Sequence, residues 1–156
     1  MSNIRIFVSH RIDIDSETVD TPVYFPVRCG AVYDEEGNSE IQGDDTGDNI
    51  SKLRMSFCEF TVQYWAWKNV DADYYGLCHY RRYLSFSDKR YKNTVFNMVR
   101  ELKLTPHEKK KYHLDDTKKI EKTVKQYDMI IPVVAKASEM SYNRAEVKTL
   151  REMWES

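Results

Sequence analysis

The sequence predicts an α/β domain in which a mainly parallel central sheet is flanked by helices. Short apolar runs rich in β-branched and aromatic residues read as strands, and stretches with helical periodicity lie between them. The resulting order of strand, helix, strand, helix, strand is typical of a layer with a parallel sheet. A chain of 156 residues is long enough for one domain with a sizeable core, so residues 1–156 are expected to form a single domain.

The first elements are predicted from apolar runs and from the residues that interrupt them. "IRIFVSH" (Ile4–His10) is a short β-rich run and is expected to be the first strand. "VYFPVRCGAVY" (Val23–Tyr33) contains Pro26 and Gly30, so it is either a broken extended segment or the approach to a short helix. The segment 34–49, with three glycines and seven acidic residues, is expected to be loop.

The clearest helix is predicted in the next segment. Ser56 and Glu59 have the spacing of a capping box, which places the helix start near Phe57, and Asn69 is a plausible end. Four aromatic residues then recur at spacings of three, four and three, which predicts one buried stripe: Phe57, Phe60, Tyr64 and Trp67. The run "ADYYGLC" (72–78) that follows is expected to be a central strand.

The second half of the sequence is more polar. Residues 88–116 read as a charged connection, and 115–127 as an amphipathic helix with Ile120, Val124 and Tyr127 on one face. "YDMIIPVV" (127–134) is expected to be another strand, ended or kept at a sheet edge by its proline. Residues 144–154 read as the start of a last helix.

Composition narrows the class of protein. The formal net charge is −1, which argues against nucleic acid as a partner. No apolar run approaches the roughly 20 residues of a membrane span, and the N-terminus lacks the features of a signal peptide. Three cysteines in apolar contexts (Cys29, Cys58 and Cys78) read as buried thiols of a reducing compartment. The sequence therefore predicts a cytoplasmic globular domain.

The cluster "HYRRY" at the exit of the predicted central strand is the strongest candidate site. If the strand continued through it, His79 and Arg81 would share one face and Tyr80 and Arg82 the other. Ligands of open α/β sheets bind beyond the carboxyl ends of strands, and guanidinium groups suit phosphate oxygens. The alternative is that both arginines pair with the acidic loop while the tyrosines pack. Residue chemistry alone leaves both interpretations open.

"GDDTGDNIS" (43–51) is a second candidate, because its aspartates could coordinate a cation through oxygen atoms. Its spacing is not that of an EF-hand, and a solvated turn that caps the next helix is the alternative. The four histidines form no metal-ligand pattern, and neither a P-loop nor a D-x-D pair follows the central strand.

Three ordered motifs, "GDDTGDNIS", "FCEFTVQYWAWKN" and "ADYYGLCHYRRYL", together resemble the DUF4422 family. "IRIFVSH" and "VYFPVRCGAVYD" are similar to the first strand and following segment of that family, and the match weakens after Phe86. The family's members are bacterial capsular and exopolysaccharide biosynthesis proteins, regarded as glycosyltransferases of the GT-A type. The resemblance thus implies a GT-A-like, Rossmann-type layer and a nucleoside-diphosphate sugar as donor.

The resemblance also implies roles for particular residues. "HYRRY" occupies the position where related enzymes carry D-x-D, so protein cations would take over the neutralisation of the donor diphosphate from a metal. On this reading no cofactor is required, although Mg²⁺ or Mn²⁺ would be compatible with the aspartates. Ser9 and His10 would lie near the base or ribose. The remaining donor-site residues are Asp45, Asp48 and Asn49 bordering the pocket, and His79, Tyr80, Arg81 and Arg82 towards the diphosphate.

The leading functional hypothesis is transfer of a hexose from a UDP-sugar to a lipid-linked polysaccharide precursor. Domains of this family usually continue beyond the length seen here, so the resemblance implies that a C-terminal portion, which completes the acceptor side, is lacking. The alternative is a non-catalytic nucleotide- or carbohydrate-binding module that acts by association with another chain, including self-association.

Overall fold

The computed structural model describes residues 2–36, 40–91 and 98–132, and its centre is a four-stranded sheet. The strands are β1 (Ile4–Arg11), β2 (Tyr24–Cys29), β3 (Gln42–Gly43) and β4 (Tyr74–His79). Their order in the sheet is β3-β2-β1-β4, and every adjacent pair is parallel. The predicted α/β class with a parallel central sheet is confirmed.

Helices cover both faces of this sheet. Their bounds are α1 (Arg54–Phe57), α2 (Phe60–Asn69), α3 (Pro106–Lys111) and α4 (Thr117–Val124), with 3₁₀ turns at Ala31–Tyr33 and Ser51–Leu53. Because side chains of a strand alternate between faces, Phe7 packs with Trp65 of α2, and Val8 with Ile120 of α4. β1 is therefore buried along most of its length, as expected of a central parallel strand.

The segment 23–33 combines the two predicted alternatives, an extended segment followed by a short helical turn. It is a strand up to Cys29 and then turns into the 3₁₀ turn at Gly30, whose φ of 70° suits a residue without a side chain. β3 pairs only with Val27 and Arg28, so Pro26 lies where β2 has no neighbour on that side. The prediction of a loop over 34–49 was wrong at two residues, because Gln42–Gly43 forms the edge strand β3.

The helical segment after this loop starts at Arg54, before the predicted Phe57, but it breaks before α2, which buries a different stripe from the predicted one. Cys58, with φ of 46°, separates α1 from α2, and Glu59 makes no side-chain capping bond. Three of the four aromatic side chains predicted to be core are exposed: Phe57, Phe60 and Trp67. The buried residues of α2 are instead Thr61, Val62, Trp65 and Ala66. The Trp65 indole fixes this orientation by stacking on Phe25 and donating a hydrogen bond to Thr46 Oγ1.

Predictions for the second half are confirmed in part. α4 begins after Asp116, whose side chain accepts a hydrogen bond from Lys119 N, and it buries Ile120. Tyr127 lies beyond its end and is exposed. The polar connection contains the unpredicted α3, and the described part of "YDMIIPVV" (127–132) has no strand. The predicted helix at 144–154 lies outside the described residues.

Candidate functional site

β1 and β4 end side by side at the carboxyl edge of the sheet, and this brings two of the predicted segments together. Ser9 is in register with His79, and Ser9 O accepts a hydrogen bond from Tyr80 N at 3.1 Å. The predicted site residues of these two segments therefore form one group: Ser9, His10, His79, Tyr80, Arg81 and Arg82. In a parallel sheet this edge is the usual position of a ligand.

The chain turns immediately after β4 and does not continue as a strand. Arg82 N donates a hydrogen bond to His79 O at 2.8 Å, which closes a tight turn through Tyr80 and Arg81. The expected alternation of faces through "HYRRY" was conditional on a longer strand and does not hold. The turn instead directs both guanidinium-bearing residues to the surface, since Arg81 and Arg82 are exposed.

Tyr80 is buried beneath the turn and forms its floor. Its ring lies 4.2 Å from the His79 ring and 6.1 Å from the His10 ring, measured between centroids. The Arg81 guanidinium lies over the outer face of Tyr80, 5.0 Å from the ring centroid. Tyr80 thus holds one arginine in place by a cation–π contact while it anchors the turn in the core.

The two open interpretations of "HYRRY" can now be compared. The tyrosines do pack, because Tyr80 is buried and the Tyr83 ring meets the Tyr24 ring edge-on at 5.5 Å. Within residues 2–36, 40–91 and 98–132, however, neither Arg81 nor Arg82 forms an ion pair with a carboxylate. Two guanidinium groups without a carboxylate partner are available to an anion at this edge.

Sequence reasoning missed two further cations near the turn. Arg11, the last residue of β1, pairs with Asp13. It also interacts electrostatically with Tyr80 and lowers the pKa of His79. The Arg54 side chain lies so close to Gly30 that a Cβ atom on that residue would clash with it. The Arg54 charge also contributes to lowering the pKa of Asp13. The sequence feature that could have revealed Arg11 was its position directly after the predicted first strand, Ile4–His10. Arg54 had no comparable signal, because it reaches the edge from α1.

Glu59, which the sequence analysis assigned only to a capping box, lies beside the turn. Its Oε1 lies 3.4 Å from His79 Nε2, while His79 Nδ1 accepts a hydrogen bond from Arg81 N at 3.2 Å. Because Nδ1 accepts, a neutral His79 carries its proton on Nε2, towards Glu59. Burial lowers the pKa of His79, and the arginines Arg11, Arg81 and Arg82 lower it further, whereas Glu59 opposes the shift. His79 is therefore uncharged at neutral pH.

Ser9 and His10 lie at the edge but point their side chains inward, since both are 2% exposed. His10 Nδ1 and Nε2 each lie 2.6 Å from a hydroxyl oxygen, of Ser16 and Thr18 respectively. Burial, with the nearby His79, lowers the pKa of His10. His10 thus ties the segment after β1 to the core in its neutral form.

The acidic loop is organised by Asp44, a residue that sequence reasoning did not single out. Its buried carboxylate accepts hydrogen bonds from Gly30 N and Ala31 N, both at 2.9 Å. It also accepts from Ser51 Oγ at 2.6 Å and from Thr61 Oγ1 at 2.5 Å. Asp44 therefore joins the end of β2, the turn before α1 and the first turn of α2.

The three predicted loop residues lie apart from "HYRRY". Asp48 accepts a hydrogen bond from Tyr64 and is bonded through its backbone to Asn69, at the end of α2 that points to the amino edge of the sheet. Asn49 Nδ2 donates to Asp45 O, within the loop. In the described part of the chain no hydrogen bond or ion pair links these residues to His79, Arg81 or Arg82.

The described residues contain no group of three or more His, Cys, Asp or Glu side chains placed to hold a metal ion. None of the helices that the structure describes is long and apolar enough to cross a membrane. All three cysteines are free thiols, but the expected burial was wrong for Cys58, which is exposed.

Comparison with known proteins now identifies the family. Residues 5–153 match the domain of unknown function DUF4422. The chain belongs to the DUF4422 family. No curated protein matches the sequence.

One solved structure is similar to this DUF4422 chain. It is described as the apo structure of WbbM, a bifunctional glycosyltransferase, and it is 34% identical with a TM-score of 0.64. The match covers 72% of the DUF4422 chain and 20% of the WbbM chain. The chain thus spans about a fifth of that protein and shares the α/β fold of the matched part.

Proposed function

We propose that this DUF4422 chain binds a nucleoside-diphosphate sugar at the carboxyl edge of its sheet and forms the donor-binding part of a glycosyltransferase. The observation that carries the proposal is the pair of exposed guanidinium groups beside His79, since neither Arg81 nor Arg82 pairs with a carboxylate of the described residues. The similarity to a glycosyltransferase of the same fold supports it.

The chemistry of the edge suits a leaving diphosphate. When the bond between sugar and diphosphate breaks, negative charge develops on the departing phosphate oxygens. Guanidinium groups bind such oxygens through two parallel N–H donors and keep their charge at any physiological pH. Arg81 is held over Tyr80, so it is oriented before the donor arrives, and Arg11, which is paired with Asp13, is close enough to lower the pKa of His79.

The other predicted site residues have supporting roles in this proposal. Ser9 and His10 lie buried at the same edge, and His10 holds Ser16 and Thr18, beside which the base or ribose would bind. Asp45, Asp48 and Asn49 would approach the donor only as the outer border of the pocket.

The finer assignment follows the family resemblance. We infer that the donor is a UDP-hexose and that the acceptor is a lipid-linked glycan of capsule or exopolysaccharide synthesis. A cytoplasmic location belongs to the same proposal, because free thiols are typical of a reducing compartment.

A double variant tests the site directly. Arg81→Ala with Arg82→Ala is expected to weaken UDP binding at least ~100-fold, because loss of one partner of a close charge pair costs about 2–5 kcal/mol. Isothermal titration calorimetry measures the change. The matched control, Arg5→Ala with Lys125→Ala, removes the same charge near the amino edge and is expected to bind like the wild type. Unchanged UDP binding by a folded Arg81/Arg82 variant would count against the proposal.

A second candidate function rests on a different observation. The outer face of α2 exposes aromatic rings, which is typical of a surface that contacts another molecule. A non-catalytic module that acts by association would use this face. UDP binding without any transferase activity, together with self-association, would favour that function.

A further inference from the structure

The outer face of α2 carries an apolar groove that the proposed donor site does not use. Its lining residues are Ile50, Ser56, Phe57, Phe60, Gln63, Tyr64 and Trp67, none of them charged. The groove lies on the side of α2 that faces away from the sheet, because Val62, Trp65 and Ala66 face inward. We call this surface the α2 face.

The aromatic residues of the α2 face are far more exposed than their chemistry favours. The exposed fractions are 47% for Phe57, 62% for Phe60 and 65% for Trp67. Met55 and Leu53, one turn earlier, are also exposed. Since a large aromatic side chain can bury about 150–250 Å², the exposed fractions of Phe57, Phe60 and Trp67 leave on the order of 350 Å² of aromatic surface open to water. The largest apolar patch on a typical monomer is about 300–600 Å² and is often a functional contact surface, and the α2 face falls in that range.

The rim of the α2 face carries both signs of charge. Lys68 Nζ lies 3.9 Å from the centroid of the Trp67 ring and 3.8 Å from Asp48 Oδ2. The Tyr64 hydroxyl also donates to Asp48. An uncharged centre with a lysine and an aspartate side by side at its rim is complementary to a copy of itself related by a two-fold axis, since each charge can meet its opposite.

We propose that the α2 face is a homodimer interface and that its occupant is a second copy of this chain. Its exposed aromatic surface is about half of the roughly 800 Å² per partner that a standard interface buries, and the neighbouring lining residues Ile50, Gln63 and Tyr64 extend it. Trp67 is the central anchor, because a large aromatic side chain in an uncharged groove is the usual hot spot of an interface. The proposal rests on the outer face of α2, whereas the donor proposal rests on Arg81 and Arg82 beyond the end of β4.

Sedimentation velocity over a range from low micromolar to several hundred micromolar protein tests the proposal. The wild-type chain is expected to shift from its monomer mass of 18.6 kDa to twice that mass. Trp67→Glu and, separately, Phe60→Glu place a charge on the α2 face and are expected to weaken the dimer at least about tenfold. Both side chains are exposed, so circular dichroism of each variant is expected to match the wild type.

Leu102→Glu is the matched control, since Leu102 is exposed and lies outside the groove. It is expected to dimerise like the wild type. A wild-type chain that stays monomeric at every concentration would overturn the proposal, whatever else covers the face. A dimer that persists unchanged in both folded glutamate variants would overturn it as well, because the interface would then lie elsewhere.

Discussion

His79 is surrounded by the charges of the carboxyl edge, so the pKa of its imidazole reports directly on their positions. Glu59→Gln removes the one nearby charge that raises this pKa and is expected to lower it further. Arg82→Ala removes a cation that lowers the pKa and is expected to raise it. A pH titration of the His79 ring by NMR measures both shifts.

The two variants must shift the His79 titration in opposite directions if the geometry is correct. Arg5→Ala, which removes a cation near the amino end of β1, serves as control and is expected to leave it unchanged. Shifts of the same sign in the Glu59 and Arg82 variants would contradict the arrangement of the site.

Asp44 is expected to be the most important carboxylate for stability. Asp44→Ala removes the acceptor of Gly30 N, Ala31 N and Ser51 Oγ, whereas the Thr61 hydroxyl can still donate to Cys58 O. Each buried donor left without a partner costs about 1–3 kcal/mol, so we expect a loss of at least about 3 kcal/mol in the free energy of unfolding. Urea denaturation checks this value, with Asp45→Ala, at an exposed neighbour, expected to change it by less than about 0.5 kcal/mol. Similar values for both variants would refute the role of Asp44.

Site residues differed in how far the sequence could reveal them. His79, Arg81 and Arg82 adjoin one another after a predicted strand, so their proximity needed no knowledge of the fold. Arg54 and Glu59 reach the edge from α1 and from the start of α2, and such tertiary proximity leaves no local pattern. Nor could the sequence separate the buried Asp44 from its exposed neighbours in "GDDTGDN", because burial of a carboxylate depends on which donors converge on it.

At the scale of elements, α2 shows how a periodic pattern can predict the helix and mistake its buried face. Aromatic residues occur on both faces, and the stripes through Trp67 and through Trp65 have the same helical spacing. What decides between them is the packing of Trp65 against Phe7 and Phe25, which are 6.3 and 6.4 Å away between ring centroids. Those partners come from β1 and β2, so the α2 sequence alone could not identify the core.

Two tryptophan substitutions distinguish the faces of α2. Trp65→Ala removes a buried ring and is expected to lower the free energy of unfolding by about 3–5 kcal/mol. Trp67→Ala, in protein dilute enough to be monomeric, is expected to lower it by less than about 1 kcal/mol, because its ring is largely exposed. Chemical denaturation of both variants is the measurement. A larger loss of unfolding free energy for Trp67→Ala than for Trp65→Ala would instead support the stripe predicted from the sequence as the buried face.

α3 was missed although its sequence carried a start signal. Thr105 precedes Pro106 at the first helical position, and Glu108 follows at the spacing of a capping box, where its carboxylate accepts a hydrogen bond from the Thr105 hydroxyl. The dense charge of "HEKKKYH" hid the signal, because α3 presents no buried residue of its own. The core contacts come just after it, from Tyr112 and Leu114.

For the whole molecule, the order of apolar runs was enough to predict the α/β class. It could not give the position of β3, whose two residues include no apolar run. The net charge of −1 likewise could not predict where the charges lie. Four arginines lie towards one edge of the sheet: Arg11, Arg54, Arg81 and Arg82. The position of charges, which determines what a surface binds, depends on the fold.

Titration of the wild-type chain with UDP by calorimetry, in EDTA and again with Mn²⁺, tests the central claim most directly. The arrangement of Arg81 and Arg82 predicts saturable binding in EDTA, with uridine binding far more weakly because it lacks the diphosphate. Mn²⁺ is expected to change the affinity little. Absence of UDP binding in both conditions, or equal binding of uridine and UDP, would contradict a diphosphate site at the carboxyl edge.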